Sequence, residues 1–93
     1  MNDMEREAYR AKAEAKIDEW TAKIKELEAK ARQSSADAAV GLNESADKLR
    51  ERVKEMRARM AEEGEGYRDE MDRLFKSAEA TWESVKDRMS GKE

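Results

Sequence analysis

The chain contains no cysteine and no histidine. Without cysteine there is no disulfide framework and no thiol chemistry, and redox compartment leaves no mark on the composition. Without histidine the usual general base is missing, and so is the one side chain that ordinarily titrates near neutral pH. Neither a glycine-rich phosphate loop nor a serine-nucleophile elbow is present. Carboxylates and lysines alone need a cavity that shifts their ionisation, and a narrow helical stripe has little volume to build one. The Asp-x-Asp-x-Asp-Gly spacing of a calcium loop is also missing. The sequence therefore assigns no catalytic residue, no cofactor and no metal ligand, and a non-enzyme is expected. Residues 1–30 hold no continuous apolar run, which predicts neither a secretion signal nor a membrane span, and a cytoplasmic location.

Proline is absent and glycine occurs four times, while 46% of residues are charged and 38% hydrophobic. That balance is typical of long helices and coiled coils. One apolar stripe runs along the chain: Ala13, Ile17, Trp20, Ile24, Leu27, Ala31, Ala38, Leu42, Ala46, Leu49, Val53, Met56, Met60, Tyr67, Met71, Leu74, Ala78, Trp82, Val85 and Met89. Averaged from Trp20 to Met89 it repeats about every 3.6 residues, the period of an α-helix. Acid-to-base pairs four residues apart, such as Glu19 to Lys23, Glu28 to Arg32 and Glu55 to Arg59, support helix and mark a solvated face.

The spacing predicts a single all-α unit over 1–93: a long helix from about 3 to 62, a hinge at 63–66, and a shorter helix from about 67 to 89. Asn2 or Asp3 can cap the first helix. Gly64 and Gly66 weaken the helix at the hinge by about 1 kcal/mol each. A rival position for a hairpin turn is 39–44, within a Gln33–Ser45 stretch where Ser34, Ser35, Gly41 and Asn43 cluster and the heptad slips. A lone helix cannot bury a stripe in water. The expected architecture is thus a helical hairpin or coiled-coil bundle completed by oligomerisation. Its interaction seam is Ile17, Trp20, Ile24, Leu27, Leu49, Val53, Met56, Met60, Tyr67, Met71, Leu74, Trp82 and Val85.

Charge is blocked along the chain although the net is only −3. Residues 48–59 carry Lys48, Arg50, Arg52, Lys54, Arg57 and Arg59 against Glu51 and Glu55; residues 60–72 carry six acids against Arg68. Charges beside an apolar seam tune partner choice, so the acidic segment of one chain is expected to dock antiparallel on the basic segment of another. Nucleic acid is not expected as the main partner, because the chain has no strongly basic balance with which to neutralise phosphates.

The run Asp18-Glu19-Trp20, then Ile24, Leu27, Ala29-Lys30-Ala31, Leu49-Arg50, Leu74 and Trp82, resembles a family of small bacterial stress-regulation coiled-coil proteins of cyanobacteria and proteobacteria. The resemblance spans about Ile17 to Val85, and the two tryptophans and their spacing carry most of it. It implies a helical protein linked to stress responses, with no catalytic or ligand residues to carry over. The chain departs from the family pattern at Gly41 and Asn43, where helix usually continues, and at Glu63, where leucine is common.

The resulting expectation is a self-associating structural or interaction protein, with a homo-oligomer, a partner helix or a protein client as its partner. Two alternatives stay open. Trp20, Trp82 and the amphipathic stripe suit a lipid surface, and Met56, Met60, Met71 and Met89 suit an adaptable groove for unfolded clients, as in a chaperone.

Overall fold

The computed structural model describes residues 3–61 and 67–89, with side chains described over 3–61 and 68–87. Three helices occupy them: α1 (Asp3–Arg32), α2 (Ala36–Met60) and α3 (Tyr67–Met89). Glu28 pairs with Arg50, and the Arg10 guanidinium donates to the Met60 carbonyl (2.6 Å), so α1 and α2 run antiparallel. Arg59 pairs with Glu70, and Arg52 donates to the Ser77 hydroxyl (2.8 Å), so α3 returns antiparallel to α2. Helices α1 and α3 are therefore parallel, with Tyr9 beside Arg68 and Trp20 against Trp82. The result is an up-down-up bundle of 50 × 18 × 16 Å.

The long helix expected over 3–62 is two helices. Its break lies at Gln33–Ser35, not at 39–44, and α2 runs through Gly41 and Asn43 without interruption. Local hydrogen bonding explains the position. The amides of Gln33 and Ser34 donate back to Lys30 and Ala31 carbonyls (3.1 and 3.2 Å), and the Ser34 hydroxyl donates to the Lys30 carbonyl (2.7 Å), which closes α1. Ser35 then takes an extended backbone and its hydroxyl accepts the Ala38 amide, capping α2, with Asp37 favouring the positive end of the new helix. The expected hinge at 63–66 lies outside the described residues. The shorter helix over 67–89 stands as expected.

The break makes a closed core possible. Leu27, Leu42, Leu49, Met56, Met71 and Val85 are all below 2% exposed. Six such side chains contribute roughly 1.5–3 kcal/mol each. Interrupting one helix forfeits about four backbone hydrogen bonds of about 1 kcal/mol net each, and the turn and cap replace several. Burial therefore wins over continuity.

Each helix carries a heptad of its own: Ala13, Ile17, Trp20, Ile24, Leu27 and Ala31 on α1; Leu42, Ala46, Leu49, Val53 and Met56 on α2; Met71, Phe75, Ala78 and Val85, with Trp82 packed on them, on α3. The spacing is 4-3 throughout, the repeat by which helices interlock side chains in coiled coils. The average near 3.6 along the whole stripe arises because the phase restarts between helices. This corrects two positions. Ala38 is exposed because α2 restarts at Ser35 and turns Ala39 towards the core; Phe75, not Leu74, holds the buried heptad position of α3, and Leu74 flanks it.

Candidate interaction surfaces

The residues expected to form an intermolecular seam form the intramolecular core. Ile17, Trp20, Ile24, Leu27, Leu49, Val53, Met56, Met71 and Val85 are buried, and Met60, Leu74 and Trp82 pack partly buried against them. The side chain of Tyr67 lies outside the described residues. Two doublings-back within one chain cover the stripe, so the reason for expecting partner helices, an uncovered apolar face, does not hold. The same geometry places methionine inside: Met56 and Met71 are fully buried and fill the core, where an open client groove would need them at the surface.

The α1/α3 seam is built from aromatics. Trp20 and Trp82 meet edge to face, with ring centroids 6.4 Å apart and planes at 78°. Lysine and arginine cover the rings from outside. The Lys23 ammonium lies 4.6 Å from the Trp20 ring centre and 5.1 Å from that of Trp82; Lys16 lies 4.9 Å from Phe75, and the Arg68 guanidinium 4.8 Å from Tyr9. Such contacts hold a cation at a solvent-facing ring at about 0.5–1 kcal/mol each. Wide rings between parallel helices thus use up the charges beside them.

The basic block of α2 divides across the helix by its 3.6-residue period. Arg52 and Arg59 turn to α3, where Ser77 and Glu70 receive them, and Arg52 also pairs with Glu55 one turn along α2. The docking of acidic on basic segments, expected between chains, is thereby made within one chain at Arg59 and Glu70. Arg50, Lys54 and Arg57, at i, i+4 and i+7, turn to α1. There they line a groove of about 440 Å³ with Thr21, Ile24, Lys25, Glu28 and Val53. Arg50 is held by Glu28 and Asp47. The Arg57 guanidinium donates to the uncharged Thr21 hydroxyl at 3.4 Å. No ion pair involves Lys25 or Lys54 among the described residues.

The α2 half of this groove is legible as the 50-54-57 spacing. The contribution of Lys25 is not, because nothing in the sequence says which turn of α1 faces which turn of α2 until the chain reverses at Ser34 and Ser35.

On α3, Lys86 pairs with Glu83 at 2.7 Å; the hydrogen bond and then the charge of that carboxylate raise the ammonium pKa. Among the described residues no group of three or more Asp or Glu side chains is placed to hold a metal ion, and no helix is long and apolar enough to cross a membrane. No protein-family model, curated protein or solved structure matches the chain.

Proposed function

We propose that this protein is a non-enzymatic helical interaction module. It folds by closing its apolar stripe on itself and meets its partners through charged helix faces. One observation carries the reading: among the described residues the buried set is wholly apolar, with every charged side chain at or near the surface. A core of this kind stabilises the fold and offers no reacting group, whereas the surface differs in charge from groove to groove. The resemblance around Trp20 and Trp82 supports a place in stress responses. Both alternatives, the lipid surface and the client groove, would require the packed core to open.

Photo-crosslinking side chains placed singly at Lys54, Glu79 and Ala22, three exposed positions on different faces, test this in cells under growth and stress conditions. The expected result is adducts to a defined protein from one face and not the others. No adduct from any face under any condition overturns the reading. Circular dichroism adds a second arm: full helicity in dilute buffer is expected, and helicity that needs anionic vesicles would move the function to the membrane.

A further inference from the structure

We propose that the groove between α1 and α2 docks an acidic amphipathic helix of a partner protein. This rests on the interaction-module reading and names its surface and its partner.

The groove combines three features. Its cations outnumber its acids four to one, since Lys25, Arg50, Lys54 and Arg57 face only Glu28. Glu28 is itself occupied by Arg50, so it does not neutralise Lys25 or Lys54. The floor between the two rows is a narrow apolar strip where Ile24 and Val53, otherwise buried in the core, reach the groove. By contrast the α2/α3 groove sets Arg52, Arg59 and Arg73 against Glu55 and Glu70, and its charges are largely satisfied inside the chain.

Geometry selects a helix among anionic partners. Arg50, Lys54 and Arg57 rise along α2 over seven residues, about 10 Å at 1.5 Å per residue. A helix laid along the groove matches that row with Glu or Asp at i, i+3 or i+4, and i+7, and sets its apolar residues on the floor between the rows. A bilayer or a nucleic acid would need positive charge over a longer surface. Here acids end the patch on both sides: Glu14 and Asp18 line the adjoining cleft beyond Arg57, and Asp47 lies beyond Arg50. The basic surface is thus about two helical turns long, the length of one docked segment.

The test uses the whole protein and a fluorescein-labelled 21-residue peptide of three heptads, leucine on one face and glutamate on its flanks, read by anisotropy. Binding is expected to weaken with added salt and to fall at least about tenfold in the variant carrying K25E and K54E. A control carrying K48E and K76E, two exposed lysines outside the groove, should change it less than twofold. Trp20 and Trp82 meet in the α1/α3 seam and do not line the groove, so their emission should not move on binding. Circular dichroism of both variants confirms that the helices are retained.

Equal binding by the two variants, absence of peptide binding, or a tryptophan shift showing that the bundle opens would overturn the proposal. Preferential capture of phosphatidylglycerol vesicles or of single-stranded DNA by the same lysines would overturn it in favour of those partners. If adducts in cells arise only from a face other than that of Lys54, the module reading stands and this groove fails.

Discussion

Helix α1 meets its two neighbours in different ways. Towards α2 it presents aliphatic side chains to an antiparallel helix tied to it by a three-residue turn, and the two backbones lie close along their length. Towards α3 it presents Tyr9, Trp20 and the cations above the rings, and the parallel backbones approach at few places. The cations follow the same division. Lys16, Lys23 and Arg68 rest on rings of the chain itself, whereas Lys25 and Lys54, on the other side, face solvent across a groove. Positive charge beside the aromatic seam is structural here; beside the aliphatic one Arg50 and Arg57 are bonded within the chain, while Lys25 and Lys54 form no ion pair among the described residues.

The largest test of this contrast removes aliphatic packing at its centre. Leu27→Ala, at a position with no exposure, is expected to cost about 3 kcal/mol. That lowers the melting temperature by roughly 12–24 °C for a chain of this size. Trp82→Ala removes a bigger side chain from the aromatic seam, yet Trp82 is only partly buried, and the expected loss is about 2 kcal/mol. Chemical denaturation of both variants ranks the seams. Should Trp82→Ala cost more than Leu27→Ala, the aromatic seam holds the bundle together and the contrast is reversed. Hydrogen exchange sharpens it further, since α2 packs on both neighbours and its central amides should be the slowest to exchange.

The heptads of α1 and α2 and the start of α3 could be read directly from the sequence, because each rests on local periodicity. What could not be read was closure. A stripe looks the same whether a second chain or a turn covers it, and between α1 and α2 the decision rests on three residues, Gln33, Ser34 and Ser35, whose bonds to the adjoining turns are visible only when the backbone reverses. Phe75 was hidden for a related reason. Counting the stripe at 67, 71, 74 and 78 carries a helical phase across a chain reversal, although α3 restarts its own 4-3 repeat and puts Phe75 inside and Leu74 on the flank. Of the proposed groove, the arginines and the lysine of α2 show in their spacing, while Lys25 depends on the register that Ser34 and Ser35 impose.

The closing turn can be tested by itself. Ser35→Ala deletes the hydroxyl that accepts the Ala38 amide, with an expected loss of about 1 kcal/mol, and Ser35→Gly should lose only a few tenths. Gly41→Ala sets the matching measurement inside α2, where helix continues through the position expected to break it. A gain of about 0.5–1 kcal/mol is expected. If Gly41→Ala destabilises instead while Ser35→Ala is silent, the reversal sits nearer 41 than 34.

The smallest effect separates the two kinds of cation. Lys23→Gln removes the charge shared by the Trp20 and Trp82 rings and should cost about 0.5–1 kcal/mol. It should also change the tryptophan emission, because the indoles lose their nearest charge. Lys54→Gln, on the groove side, should leave both stability and emission within error, since no described residue pairs with it and surface charges of this kind contribute close to nothing. Equal losses from the two substitutions would mean that Lys54 also stabilises the bundle and is not spare. A loss confined to Lys23 would show that the fold uses the cations of one seam and leaves those of the other free to bind.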